Sequence, residues 1–177
     1  LGNGFPGQLA ASANTTPDAV GLHRQLAQFV AAGALTCAME VSSIGLDQNR
    51  VSGAAFDVAV FTNLTRDHLD YHGNMAAYGA AKRRLFAMPG LKTAVVNLDD
   101  PFGMQLADEL TNNPAAAGGV RLLGYTLEGR SHAGADQVLA ASDLAMTSAG
   151  LAFTLGGLAI SAPVIGRFNA ANLLTVP

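Results

Sequence analysis

The chain has 177 residues, 50 % of them hydrophobic and only 13 % charged, which suits one folded domain burying about 70 % of its unfolded surface and argues against disorder, collagen and coiled coil. Ten Lys plus Arg against 13 Asp plus Glu leave a formal net charge of −3, and the longest basic run is Lys82-Arg83-Arg84, so nucleic acid is a poor candidate for the main partner. No apolar stretch reaches the roughly 18 residues of a membrane span and the N-terminus lacks the charged-then-apolar order of a signal peptide, while the single Cys37, in an apolar run, excludes an internal disulfide and reads as a small core residue in a reducing, cytoplasmic setting.

Taken in chain order, Thr16-Pro17-Asp18 predicts a helix start, with a hydroxyl N-cap, a proline whose missing N–H costs nothing, and an acid at the positive end of the dipole. Leu22, Leu26, Phe29 and Val30 continue at helical spacing to Gly33, a C-cap residue. The continuous apolar run 35–41 predicts a strand buried on both faces of a parallel sheet. The βαβ rhythm repeats as a strand at 56–62, a helix at 75–88, a strand at 93–97 and a helix at 101–110 that begins at Pro101 after Asp99-Asp100. Residues 111–119, rich in Asn, Ala and Gly, read as a loop. Short runs at 121–125, 137–146, 151–155 and 158–162, separated by Gly, Ser and Asp, predict antiparallel strands added at the sheet edge, and a helix-like segment covers 169–174. The expected fold class is α/β, a mostly parallel doubly wound sheet with an added antiparallel edge. Because the chain starts at Leu1 and stops just after that segment, it is expected to be an excised piece of something longer.

Ligands of an open parallel sheet bind beyond the carboxyl ends of its strands, which directs attention to Glu40-Val41-Ser42-Ser43 and to the run from Thr62 to His72. An acid at the end of a buried strand is costly unless it is paired or holds a cation. Glu40 is therefore a candidate magnesium ligand, the alternative being a carboxylate satisfied by nearby backbone N–H groups. Asp67-His68-Leu69-Asp70-Tyr71-His72 places four potential ligands in six residues without the spacing of a helical zinc site. A solvated loop is one account of it; a hard cation held by one or two protein groups plus phosphate oxygens is the other, and favours magnesium over zinc. Lys82, with Tyr78 four residues before it and Leu85 three after, falls on or beside a buried helix face, where it either snorkels to the surface or is held neutral by desolvation.

At this point the residues match a known family. Ala38-Met39-Glu40-Val41-Ser42-Ser43-Ile44-Gly45-Leu46-Asp47-Gln48-Asn49-Arg50-Val51, followed by Phe56-Asp57-Val58-Ala59-Val60-Phe61-Thr62-Asn63-Leu64-Thr65-Arg66-Asp67-His68-Leu69-Asp70-Tyr71-His72-Gly73, closely resembles the central domain of the Mur ligases. Asn14-Thr15-Thr16-Pro17, Tyr78-Gly79-Ala80-Ala81-Lys82 and Gly166-Arg167-Phe168-Asn169-Ala170-Ala171-Asn172 extend the match in order across nearly the whole chain. The branch it resembles adds the third amino acid, diaminopimelate or lysine, to UDP-N-acetylmuramoyl-L-alanyl-D-glutamate in peptidoglycan synthesis. The resemblance implies a cytoplasmic ligase using ATP and Mg²⁺, in which the γ-phosphate passes to the terminal carboxylate of the sugar peptide, the incoming amine attacks the acyl phosphate, and phosphate leaves. In such chemistry the burden falls on positioning and on neutralising phosphate charge.

By motif match, the resemblance implies that Asn14, Thr15, Thr16, Ser42, Gln48 and Arg50 bind the UDP-sugar peptide, Arg50 as a bidentate fork for a carboxylate or phosphate. It implies that Glu40 and His68 are magnesium-associated catalytic residues, that Lys82 carries a carbamate formed with CO₂ and supports a second magnesium, and that Asn169 lies near the adenine of ATP. Two departures stand out. Ile44 occupies the place where such enzymes carry His after Ser-Ser, and the Gly-Lys-Thr phosphate loop is missing, since the glycines of Leu1-Gly2-Asn3-Gly4-Phe5-Pro6-Gly7 lack the Lys-Ser/Thr ending. The implied organisation is a central domain over 1–177, truncated on its N-terminal side, without the UDP-binding and amino-acid-binding domains that flank it in the family. Such a piece alone is expected to be inactive and to self-associate through an uncovered sheet edge, the parent protein being a monomer. Three other readings stay open: a non-catalytic substrate-binding or structural module, a folylpolyglutamate-synthase-like ligase, and a metal hydrolase built on residues 67–72.

Overall fold

The structure, a computed structural model, describes residues 2–12, 14–112 and 119–175. The chain divides into two compact units, Leu1–Ala54 with His68–Leu85, and Ala55–Asp67 with Phe86–Pro177.

The first unit opens with an antiparallel hairpin of β1 (Gly2–Phe5) and β2 (Gln8–Ala11). It turns at Pro6-Gly7, where Gly7 adopts φ +83°, a conformation open to glycine at no steric cost. Helix α1 (Ala19–Ala31) follows, and its N-cap is Asp18 rather than the expected Thr16, the Asp18 carboxylate accepting from the Gly21 N–H at 2.9 Å. That N–H is the main cause holding the Asp18 carboxyl below the usual carboxylate range. The helix ends as expected at Gly33, φ +88°.

The strand expected at 35–41 does not form. A strand persists only where its amides find a ladder, and among the described residues none pairs with this run. Much of it is accordingly uncovered: Leu35 is 98 % exposed and Cys37 is exposed rather than a core residue, while Met39 and Val41 are half-buried. Three helices complete the unit: α2 (Ser43–Asp47), capped by the Ser42 hydroxyl, α3 (Leu69–His72), and α4 (Met75–Phe86), whose first turn is closed by Asn74 accepting from the Ala77 N–H. Leu22, Leu46, Val51, Tyr78 and Ala81 are its buried apolar residues.

The second unit is built on a six-stranded sheet in the order β3-β4-β5-β6-β7-β8, the strands being β3 (Val58–Phe61), β4 (Thr93–Asn97), β5 (Arg121–Thr126), β6 (Gln137–Thr147), β7 (Gly150–Leu155) and β8 (Leu158–Ala162). The first three pairings are parallel and the last two antiparallel. The α/β class and the mostly parallel sheet with an antiparallel edge hold, but the change of direction comes later than expected. β5 runs parallel to β4, and the first four residues of β6 run parallel to β5, from Leu123↔Gln137 to Thr126↔Ala140. From Ala141 onward the same strand pairs antiparallel with β7. The link 127–136 recrosses without a helix, so no helical signal announced a parallel return.

Helix α5 (Pro101–Asn112) packs on β4 and β5. Its first turn is capped by the Asp100 carboxylate, which accepts from the Phe102 and Gly103 N–H groups at 2.8 and 3.2 Å. The helix takes in Thr111 and Asn112 from the expected loop, and residues 113–118 of that loop lie outside the described residues. Helix α6 (Arg167–Leu173) closes the core, Ala170 and Leu174 packing with Val95, Tyr125, Leu151 and Phe153. The buried Tyr125 hydroxyl donates to the Phe61 carbonyl at 3.3 Å, and burial, with Asp100 and Asp99 nearby, pushes its phenol far above the ordinary value.

Candidate functional site

In the first unit, Thr16 is a node. Its side chain is buried, 1 % exposed, and its hydroxyl donates to the Glu40 carbonyl at 3.0 Å while accepting from the Ser42 N–H at 2.9 Å. The Thr16 carbonyl accepts from Nη1 of Arg50 at 2.9 Å. Arg50 is held from its other side by Gln48, whose Oε1 accepts from Nε at 2.9 Å and from Nη2 at 2.6 Å. Three of the five guanidinium donors are thus engaged, and the Nε–Nη2 edge is taken by Gln48 rather than offered to a ligand. One proton on each Nη remains, and such donors suit an anion. Asn49 sits at φ 55°, a conformation Asn tolerates, and the turn lets the Arg50 N–H donate to the Gly45 carbonyl at 2.8 Å. Thr16, Ser42, Gln48 and Arg50, separated by up to 34 residues, are therefore one hydrogen-bonded group.

Asn14, Thr15 and Glu40 line a cavity of about 650 Å³ whose walls include Phe5, Leu26 and Phe29. The Glu40 side chain is exposed and its carboxylate forms no hydrogen bond or ion pair among the described residues. The alternative in which backbone N–H groups satisfy it is not what the structure has. A carboxylate on a residue lining the cavity suits magnesium by its chemistry, since that ion takes one or two protein groups and leaves its remaining positions to water and phosphate oxygens.

A second cluster gathers around Tyr78, which is 6 % exposed. His68, just before α3, adopts φ 54°, ψ 23°, a left-handed conformation that costs a residue with a Cβ on the order of 1 kcal/mol. Its imidazole meets the Tyr78 ring edge-on, centroids 5.9 Å apart and planes at 88°. Lys82 Nζ stands 5.2 Å from the centre of the same ring, a cation–π distance, so the half-buried lysine rests on the tyrosine one turn before it. The structure thus brings His68 and Lys82 to one ring.

Two residues acquire parts that sequence reasoning missed. His72, noted only as a possible ligand, stacks on Tyr78 at 5.3 Å and 18°, and its Nε2 lies 2.9 Å from the hydroxyl of the buried Ser43. Tyr71 donates to the Asp47 carboxylate at 3.0 Å. The stacking of Tyr71, His72 and Tyr78 could have been suspected from three rings within eight residues; the bond to Ser43, 29 residues away, left no local signal. Among the described residues no group of three His, Cys, Asp or Glu is arranged to hold a metal.

Asn169 belongs to the second unit. On α6, its amide donates to the Ile165 carbonyl at 2.8 Å. The neighbouring Arg167 is 3.3 Å from Glu128, whose other oxygen is 3.3 Å from Arg130. The turn carrying Glu128 is itself organised by Asp99, which accepts from the Thr126 hydroxyl at 2.5 Å and the Leu127 N–H at 2.6 Å. The sequence had marked Asp99 only as a helix-start residue.

Comparison with known proteins follows the same lines. Residues 2–176 match the Mur ligase middle domain. A UDP-N-acetylmuramoyl-L-alanyl-D-glutamate–2,6-diaminopimelate ligase of Alkalilimnicola ehrlichii is 49 % identical over 179 residues, covering 99 % of this chain and 34 % of that protein. The ligase of the same name from Pseudomonas aeruginosa is 46 % identical over 174 residues, covering 98 % of this chain and 34 % of that protein. A solved structure of a ligase with this name superposes with a TM-score of 0.81 at 39 % identity, over 98 % of this chain and 34 % of that one. MurF from Acinetobacter baumannii, at 19 % identity over 67 % of this chain and 24 % of its own, shares the fold with a TM-score of 0.51. The chain spans about a third of the length of the relatives it matches.

Proposed function

This chain belongs to the Mur ligase middle-domain family, and from that premise we propose that it forms the central, ATP-binding part of a longer MurE-type ligase that joins 2,6-diaminopimelate to UDP-N-acetylmuramoyl-L-alanyl-D-glutamate. The observation that carries this reading is the near-half identity, over almost the whole chain, to ligases bearing that name. The name favours diaminopimelate over lysine as the amino acid, and peptidoglycan over folate as the setting. Its partners are then the UDP-sugar dipeptide and a free amino acid, and its working place the cytoplasm, where ATP is plentiful. No helix among the described residues is long and apolar enough to cross a membrane.

The side chains have work suited to their chemistry. Asn14 and Thr15 offer amide and hydroxyl groups to the sugar peptide in the cavity they line. Thr16, Ser42 and Gln48 hold the Glu40 segment and Arg50 in register, and Arg50 presents its two remaining protons to a carboxylate or phosphate. Glu40, His68 and Lys82, the last as a carbamate, are the residues that would hold magnesium. That ion supplies neutralisation of phosphate charge as the acyl phosphate forms and is broken down. Asn169 is assigned to the adenine. The sequence contains no Gly-Lys-Ser/Thr run, so this piece alone is proposed to be inactive. The outer edge of β3, unpaired among the described residues and carrying the exposed Val58 and Val60, supports its self-association.

The test uses the full-length protein with ATP, Mg²⁺, the sugar dipeptide and either diaminopimelate or lysine. Phosphate release should accompany a product heavier by one diaminopimelate residue. Release that requires a folate acceptor and glutamate, or no amide product with either amino acid, would overturn the proposal.

A further inference from the structure

We propose that Arg84, on α4, is a positioning residue that closes the carboxyl end of α2 and thereby holds Gln48 and Arg50 in place for the anion Arg50 receives; that consequence rests on the ligase reading. Helix α2 has five residues, Ser43–Asp47, too few to persist alone, because ordering a first turn costs more than its bonds return. Its amino end is held by the Ser42 cap. Its carboxyl end carries an acid where the helix dipole favours a cation: Asp47 is the last helical residue, and no basic residue lies in that turn. The cation arrives from α4. Nη1 of Arg84 lies 3.2 Å from the Leu46 carbonyl, 3.3 Å from the Asp47 carbonyl and 3.4 Å from Asp47 Oδ1. The other oxygen of that carboxylate accepts from the Tyr71 hydroxyl at 3.0 Å. One guanidinium thus meets two terminal carbonyls and offsets the acid beside them.

What stands on this helix end is the anion-binding arginine. The chain leaves α2 through Gln48, turns at Asn49 with φ 55°, and returns so that the Arg50 N–H donates to the Gly45 carbonyl at 2.8 Å. The Leu46 carbonyl that Arg84 meets also accepts from the Asn49 N–H at 3.2 Å. Gln48 in turn receives Nε and Nη2 of Arg50 on its Oε1. The backbone beneath Gln48 and Arg50 is therefore tied to the last turn of α2. An ion pair as exposed as that of Arg84 and Asp47, 52 % and 39 %, is worth little as a pair; its effect lies in the turn it anchors. If that turn loosens, the guanidinium spreads over more positions, and the freedom it gains must be given up again when an anion binds. Affinity for the anion falls, while a step that Arg50 does not touch proceeds as before.

The test compares Arg84→Met, which keeps the stem and loses the donors, with Arg84→Lys in the full-length protein. All three contacts are made by one nitrogen, so an ammonium can stand in for it. One readout needs neither substrate nor turnover: hydrogen exchange of the Arg50 amide. In Arg84→Met it should exchange about tenfold faster than in wild type, and in Arg84→Lys within about twofold of wild type. In binding titrations, Arg84→Met should raise Kd for UDP-N-acetylmuramoyl-L-alanyl-D-glutamate by about fivefold. Its kcat at saturating dipeptide and its KM for ATP should stay within about twofold of wild type, and Arg84→Lys should restore the affinity. Wild-type protection of the Arg50 amide in Arg84→Met, or an unchanged dipeptide Kd beside faster exchange, overturns the proposal. So does an Arg84→Met variant whose kcat and KM for ATP worsen as much as its dipeptide Kd, or an Arg84→Lys variant as impaired as Arg84→Met. If wild type binds no sugar dipeptide, the ligase reading fails, and the Arg50 amide still decides whether Arg84 holds this turn.

Discussion

Replacing Thr16 by Val exchanges a hydroxyl for a methyl of similar size at a position 1 % exposed. The change strands two backbone groups, the Glu40 carbonyl and the Ser42 N–H, that the hydroxyl now satisfies at 3.0 and 2.9 Å. At about 1 kcal/mol for each lost bond, the variant should be destabilised by about 2 kcal/mol. Thr16→Ser keeps both bonds and removes only the methyl that packs against Gly45, where even an added Cβ would lie 2.9 Å away; its cost should be about 1 kcal/mol. With a urea slope of about 2 kcal/mol per molar, the unfolding midpoint should fall by about 1 M for Val and about 0.5 M for Ser. Amide exchange localises the effect, because the Ser42 N–H should lose protection in Thr16→Val and keep it in Thr16→Ser. Equal midpoints for the two variants, or a Ser42 amide equally protected in both, would refute the assignment of Thr16 as the node.

In the full-length ligase, Glu40→Gln and His68→Ala should each lower kcat by at least about 100-fold at saturating ATP and Mg²⁺; steady-state phosphate release checks this, and wild-type turnover would remove the residue from the catalytic set. Lys82→Ala should abolish activity, and bicarbonate or a short carboxylate should restore part of it by occupying the place of the missing anion; full activity without added anion would refute the carbamate. The Asp18 carboxyl titrates below its ordinary value because it accepts from the Gly21 N–H, so its support of α1 is complete at neutral pH and is lost as pH falls through the depressed folded value. Asp18→Asn, which keeps an acceptor and loses the charge, should flatten that acid-dependent fraying in amide exchange of residues 19–22, and an unaltered acid limb would show that another group causes it.

The residues explain which parts of this molecule could be read in advance. β4 and α5 were legible because an apolar run bounded by Asp99-Asp100 and Pro101 carries both its burial and its punctuation locally. The run 35–41 was misread because hydropathy reports a wish for burial, whereas a strand also needs a neighbour to pair with. The β1–β2 hairpin was hidden by its glycines, which carry little strand signal. The direction of β5 and β6 was misjudged because orientation resides in the connection rather than in the strand. In the site, Thr16, Ser42, Gln48 and Arg50 were named through family resemblance, yet the bonds that join them span too many residues for spacing to reveal. The pairing of Tyr78 with Lys82, one helical turn apart, was within reach of periodicity.

The strand β6 has one length and two kinds of neighbour, parallel to β5 as far as Ala140 and antiparallel to β7 from Ala141. A ladder that slips by one residue turns every side chain to the opposite face. Here a slip against β7 would also have to be accepted by β5, whose pairing presents Tyr125 to the core, or be absorbed at the irregularity between Ser142 and Ala145, where Asp143 already sits at φ 55°. The hairpin of β7 and β8, turned by Gly156 and Gly157, can therefore change length at its tip without disturbing alignment further in. Insertions in that turn should be tolerated, whereas a single residue added or deleted within 137–141 would force both alignments to fail together.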